Sequence, residues 1–402
     1  MSGSNILCKD IVIWGTRVLG YTAFYYYKDK ANIVCYIDND EQKWGKTLNG
    51  IKICPPAVLK DKDATVVLAM RNGIESIKKQ LYEDFHIKSY VLFQAGEERY
   101  SMEDGQCHDK EIPEDSCVVA FSGGLGNQMF QYALFKNLES QGRHVLADLE
   151  AYLNIGVMKF RLPEVFTNIN LEICTKEQKK ELLRKNEVKG KRAKKFVIYT
   201  EITSYGEGRR KQADLSLLNI TGGIITGMHQ SYKFPESVRD ALLNDFQFHS
   251  ECENKLQRIR NDLLNENAVS VHVRRGDYTV GNNVWVYGDI CTVQYYDNAM
   301  QYINEKAGDC KFYFFSDDME WVKSQFDIED AVYIEDTLFD DYEDWYDMYL
   351  MSLCKHNIIA NSTFSWWGAW LNQNKEKIVI APKKWVNICD YEDIYPVEWV
   401  RM

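Results

Sequence analysis

Short apolar runs closed off by glycine or acidic residues recur along this chain, and most lead into a longer segment with apolar residues at helical spacing. The pattern predicts strands at 11–14, 33–37, 64–70, 90–93, 118–121, 144–149, 268–273, 311–315 and 357–361, with a further strand and polar turn within 222–234. Helices are predicted over 21–28, from about 128 to 142, from 319, over 344–355 and from 362. Strands alternating with helices make βαβ units, so the fold class is α/β. Residues 95–116, AGEERYSMEDGQCHDKEIPEDS, have no periodic apolar face and read as a solvated acidic linker. A boundary near Pro113 sets residues 1–112 apart as a unit of their own, and the chain from about Glu111 onward is expected to fold without them.

The run 268–278, AVSVHVRRGDY, organises the rest. Its β-branched residues alternate as in a buried strand, which stops at Gly276 and Asp277 and delivers His272, Arg274 and Arg275 at its carboxyl end. In open α/β sheets that end is where ligands bind, and two adjacent guanidiniums there suit an anion with several oxygens, such as the pyrophosphate of a nucleotide diphosphate. The alternative is an arginine pair in surface salt bridges.

With 402 residues, 45% hydrophobic and 13% aromatic, the chain can bury the cores of two or three domains. Its net charge of -11 argues against nucleic acid as a partner and for a small ligand held in a local basic pocket. The eleven cysteines are scattered, with no C-x-x-C, which predicts reduced thiols in a cytoplasmic protein and no zinc site. No signal peptide or membrane span is expected: the N-terminus MSGSNILCKD lacks an apolar core, and the most apolar region, 348–371, is broken by Lys355, His356, Asn357 and Asn361.

Two glycine loops follow strands. In GTRVLG (15–20), Arg17 stands where a dinucleotide fingerprint needs its second glycine, so tight NAD binding is not expected. In the second loop, Gly123, Gly124 and Gly126 precede a helix, Met129 replaces the third glycine, and Asn127 and Gln128 offer amides that suit sugar hydroxyls and phosphate oxygens. A plain helix cap is the competing reading. Asp38-Asn39-Asp40 has the D-x-D form of a metal-holding motif but is read as a turn. Asp318, at the end of the strand 311–315, can accept from both the ring N–H and the amino group of guanine or cap the helix from 319. Ser362, Thr363 and Ser365 open a helix as a phosphate cradle or as ordinary caps, and Trp366, Trp367 and Trp370 are read as core. The lysine- and arginine-rich run 176–195 is either a solvated helix face or a weak peripheral contact with an anionic membrane surface. His229, Gln230, Ser231 and Tyr232 form a polar cluster at a strand end.

Taken together, GGLGNQMFQYA (123–133), HVRRGDY (272–278), FFSDDMEW (314–321) and DMYLMSLCKHNIIANSTFSWWGAWL (347–371) resemble the bacterial α-1,2-fucosyltransferases of glycosyltransferase family 11. The likeness covers about residues 115 to 390. It implies a GT-B-like enzyme with two Rossmann-type halves, an acceptor side in 113–245 and a GDP-fucose-binding side in 246–402. Residues 1–112 would precede it as a Rossmann-like module, similar to the N-terminal modules of some bacterial sugar-modifying enzymes. The resemblance further implies GDP-β-L-fucose as donor, the 2-hydroxyl of galactose in a glycan as acceptor, inversion, and no metal or cofactor. On the matching positions it implies that Arg274 binds the donor phosphates with Arg275 beside it. His272 and Asp318 would face the nucleoside, Ser362, Thr363 and Ser365 the phosphates, and Asn127 the region between donor and acceptor, with Gly124, Gly126 and Gln128 on the substrate side.

The residues agree in one respect. Charge developing on a departing GDP needs arginines and helix N-termini aimed at it, and both are present. The general base is not named by any motif: Asp277 and Asp148 can take the acceptor proton or merely brace an arginine or a loop. Two rival functions are a dinucleotide-dependent sugar oxidoreductase, which needs glycine in place of Arg17 or Met129, and a carbohydrate-binding protein without turnover.

Overall fold

The structure, a computed structural model, describes residues 10–28, 30–62, 64–70, 74–87, 90–94, 97–100, 113, 115–153, 159–174, 178–180, 182–183, 197–200, 210–335 and 342–402. The first sheet contains β1 (Asp10–Trp14), β2 (Asn32–Ile37), β3 (Thr47–Leu48), β4 (Ile51–Cys54), β5 (Thr65–Leu68), β6 (Val91–Gln94) and β7 (Glu97–Tyr100), in the order β3-β4-β2-β1-β5-β6-β7. All neighbours run parallel except β3 with β4 and β6 with β7. Central β1 reads as an unbroken apolar run because both its faces are covered. Ile11 and Ile13 pack with Leu19, Ala23 and Tyr27 of the helix Val18–Tyr27, and Val12 and Trp14 with Ile77 and Leu81 of the helix Ile74–Phe85.

The second sheet is parallel throughout. It has β8 (Cys117–Ala120), β9 (Val145–Asp148), β10 (Val197–Thr200) and β12 (Gly223–Thr226) in the order β10-β12-β8-β9, while β11 (Arg210–Lys211) pairs separately with β18 (Asp390–Tyr391). The third sheet is also all parallel, in the order β15-β14-β13-β16-β17-β19, from β13 (Ala268–Val273), β14 (Lys311–Ser316), β15 (Val332–Tyr333), β16 (His356–Ile358), β17 (Val379–Ala381) and β19 (Val400–Arg401). All six residues of β13 are buried. Val269, Val271 and Val273 meet Tyr296, Ala299, Met300 and Ile303. Ser270 and His272 alternate with these valines and are buried as well, Ser270 accepting from Asn357 Nδ2 at 2.7 Å.

The chain forms two compact units: 1–124 with 138–200 and 216–227, and 125–137 with 201–215 and 228–402. Residues 1–112 thus cluster with segments that follow them in the chain. Within the first unit, the ring of Tyr21 lies 5.5 Å from that of Phe160, Tyr25 donates its hydroxyl hydrogen to the Ile169 carbonyl, and Lys28 donates to Asn170 Oδ1 at 2.8 Å. Phe160 in turn packs edge-on against Phe121, just past β8. The expected linker also starts later than its polarity suggested. Glu97–Tyr100 is an edge strand, which needs no apolar face; residues 101–112 lie outside the described ones.

The helix expected from about 128 begins at Leu125 and ends at Ser140, and the helix expected over 21–28 begins at Val18. Both start earlier because the helical turn follows directly on the bend after the strand. Among the described residues, no helix is long and apolar enough to cross a membrane.

Candidate functional site

Parallel register brings the ends of β13 and β14 side by side, with Val273 opposite Ser316, so Arg274 and Arg275 emerge next to Asp317 and Asp318. Arg274 Nη1 lies 2.9 Å from Asp317 Oδ2, and its Nη2 donates to Asp277 Oδ1 at 2.7 Å. Asp317 also accepts from the Arg275 backbone N–H at 2.9 Å. Arg275 donates from Nε to Asp318 Oδ2 at 2.9 Å and lies 3.9 Å over the Trp321 ring. Gly276 makes this possible: a Cβ there would stand 2.3 Å from Asp317 Oδ2.

The salt-bridge alternative for the arginine pair is realised. The guanidiniums are salt-bridged, and the bridges hold the forks still. A guanidinium has five N–H donors, and the Arg274 bridges engage only part of that set. Burial disfavours its charge, but Asp317 and then Asp277 outweigh burial and hold its pKa above the usual value.

Asp318 is spoken for: besides Arg275, it accepts from Trp321 N at 3.2 Å and caps the helix Met319–Gln325. Its capping alternative is therefore realised. Asp317, which reading the motif passed over, is the carboxylate that grips both arginines; only the register of β13 against β14 distinguishes it from its neighbour.

His272 is 5% exposed, and its Nδ1 has no hydrogen-bond partner among the described residues. Burial, and then the Arg274 charge, push its pKa down to about 3, so the imidazole is neutral. Its ring centroid lies 6.0 Å from that of Phe364. Phe364 belongs to the first turn of the helix Thr363–Leu371, whose cap Ser362 accepts from Phe364 N at 3.4 Å. Asn361, just before it, accepts from the Tyr278 hydroxyl at 3.1 Å through its carbonyl and donates through Nδ2 to the Tyr287 and Trp385 carbonyls.

The helix Leu125–Ser140 meets the helix Thr363–Leu371 at their amino ends. A Cβ on Gly126 would lie 2.6 Å from Thr363 Oγ1 and 2.7 Å from its carbonyl carbon, and Trp367 Nε1 donates to the Gly126 carbonyl at 3.0 Å. Gly126 is thus required by helix packing. Phe130 sits against Trp366 and Trp367, which are fully buried, as is Trp370 to within 1%. The first turns of two helices, with their open N–H groups, therefore lie together.

Asn127 is on one of those turns, half-buried. Gln128 and Ser365 are fully buried in the packing, and Ser365 donates to the Ser362 carbonyl. Gly124 precedes the helix and is exposed.

Other candidates have local duties. Asp148 lies 2.5 Å from Lys179 Nζ and accepts from Glu150 N, a brace for its loop. Asp40 caps the turn Glu41–Lys43, and Asp38 accepts from Asp40 N and pairs with Lys43, the turn role expected of D-x-D. The basic run 176–195 lies outside the described residues except for 178–180 and 182–183.

Residues 90–402 match the family model for glycosyl transferase family 11, and residues 7–92 match one described as C2185-like, N-terminal. The O-antigen biosynthesis glycosyltransferase WbnK of Escherichia coli is 32% identical over 294 residues, covering 67% of this chain and 94% of that one. An alpha-1,2-colitosyltransferase of Escherichia coli is 31% identical over 310 residues, covering 71% and 99%. A galactoside alpha-(1,2)-fucosyltransferase 1 of Ateles belzebuth is 28% identical over 157 residues, covering 37% and 42%.

Proposed function

The chain belongs to glycosyl transferase family 11, and from that premise we propose that it transfers L-fucose from GDP-β-L-fucose to the 2-hydroxyl of a galactose residue in a glycan, with inversion. Membership of a glycosyl transferase family supports this reading over the dinucleotide oxidoreductase and the non-catalytic binder. The observation that carries the reading is the braced fork of Arg274, held by Asp317 and Asp277 at a strand end with donors to spare.

In this reading Arg274 and the two helix starts receive the diphosphate and stabilise the charge that develops as GDP departs, which removes the need for a metal. Arg275, stacked on Trp321 and tied to Asp318, backs the same site. His272, neutral and with an open Nδ1, faces the nucleoside. Asp277 braces Arg274 through Oδ1, which leaves Oδ2 to take the proton of the acceptor hydroxyl. The proposal includes a GT-B-like arrangement of Rossmann-type halves after a Rossmann-like first module, and a cytoplasmic site of action.

A second reading is favoured by the colitosyltransferase likeness over 71% of the chain: colitose in place of fucose on the same 1,2 linkage. The test is incubation with GDP-fucose and a panel of galactosides in the presence of EDTA, followed by mass and linkage analysis. A product heavier by one deoxyhexose, 1,2-linked to galactose, is expected. No transfer from GDP-fucose, together with transfer from the colitosyl nucleotide, would give the second reading; activity lost to EDTA and restored by manganese would end metal independence.

A further inference from the structure

We infer that Gln230 and Trp385 determine which side of the Asn127 carboxamide a ligand meets, and that it meets the N–H₂, so that Asn127 donates a hydrogen bond to a phosphate oxygen of the nucleoside diphosphate. The inference rests on the nucleotide-sugar reading above and names two positioning residues for it.

The argument begins at an atom with no choice. Trp385 Nε1 lies 2.9 Å from the Gln230 carboxamide, and an indole N–H can only donate. The Gln230 atom facing it must therefore be Oε1. That turns Gln230 Nε2 toward Asn127, 2.8 Å away, where it donates, so the Asn127 atom facing it must be Oδ1. What remains of Asn127 is Nδ2, a donor with no protein partner among the described residues. The polarity of all three side chains follows from the indole, whichever way the amides are first drawn.

Position says what such a donor is for. Asn127 is the third residue of the helix Leu125–Ser140, where the open N–H groups and the helix dipole favour an anion. Gly126 beside it touches Thr363 at the start of the second helix, and Phe364 leads on to His272 and Arg274. Gln230 is held for its part by a costly backbone: His229, just before it, has φ 50°, which residues other than glycine seldom adopt. Trp385 is 4% exposed.

Gln230→Glu tests the relay. An ionised glutamate still accepts from the indole but has nothing to donate, so Asn127 turns over, donates to it, and presents Oδ1 to the phosphate. A protonated glutamate carries one acceptor and one donor, as glutamine does, and restores the original polarity. GDP is the probe, with binding measured by calorimetry at about pH 8 and about pH 4.5, close to the ordinary glutamate pKa of about 4.3, beside melting curves.

For Gln230→Glu, GDP binding is expected to be about 10- to 100-fold weaker than wild type at the higher pH and to return to within a few fold of wild type at the lower pH. Asn127→Asp keeps the bond from Gln230 but turns an anionic oxygen toward the phosphate. It is expected to lose GDP binding while melting no lower than wild type, because a carboxylate suits the first turn of a helix.

Gln230→Glu binding GDP as wild type does at the higher pH would overturn the inference. So would weakened binding that does not recover as the pH falls, since a packing role would not titrate. Wild-type protein that fails to bind GDP would remove the nucleotide-sugar reading and this inference with it; wild-type binding unaffected by either substitution removes only the inference.

Discussion

Arg274 shows how one residue serves the site and its own placement together. Lysine there keeps the charge but cannot span Asp317, Asp277 and a diphosphate at once. Arg274→Lys is expected to lower turnover by about two to three orders of magnitude, the usual cost of one preorganised donor. Melting should hardly change, because partly exposed ion pairs contribute about 1 kcal/mol or less. Initial GDP release at saturating donor, with a melting curve alongside, checks both; near-normal turnover would take Arg274 out of the mechanism.

His272 makes a prediction about pH. Its imidazole titrates at about 6.5 unfolded and about 3 in the fold, so between those values only the unfolded chain takes up the proton. Its neutral burial costs nothing above the upper value, and stability falls through the window by up to about 1.4 kcal/mol per pH unit. Denaturant unfolding at intervals across that range should show a shallower loss for His272→Gln than for wild type. Equal slopes would mean that the imidazole charges inside the fold. Both residues were legible in the sequence as the end of a buried strand, whereas Asp317 was not, since adjacent aspartates differ only in where register points them.

At the scale of elements, the site depends on two helices meeting end to end. Gly126→Ala would drive a methyl group into the backbone and side chain of Thr363, and neither helix can yield without disturbing Phe130, Trp366 and Trp367. A loss of about 1–3 kcal/mol is expected, as for an overpacked core, together with weaker GDP binding. Denaturant titration and calorimetry read the two; an alanine variant of wild-type stability would show that the contact is looser than its distances. A glycine-rich turn before a helix could be read from the chain. That its third glycine answers to helix packing could not, because the partner, Thr363, lies far along the sequence.

For the whole molecule, the first sheet shares a compact unit with the second through Tyr21, Tyr25 and Lys28 on one helix and Phe160, Ile169 and Asn170 opposite. A chain beginning near Glu111 uncovers that aromatic surface. It is expected to melt at least about 5 °C lower than the full chain, or to aggregate, and an unchanged melt would return residues 1–112 to independence. The sequence by itself determined the α/β class, the buried strand ending in Arg274 and Arg275, the turn at Asp38 to Asp40 and the tryptophan core, because apolar period and turn chemistry act between near neighbours. Tertiary structure alone decided that Asp317 grips the arginines, that Gln128 and Ser365 are fully buried, that Gln230 ties Asn127 to Trp385, and that the first sheet is braced by the second. Each of these depends on strand register or on contacts between residues far apart in the chain, and neither is written in local pattern.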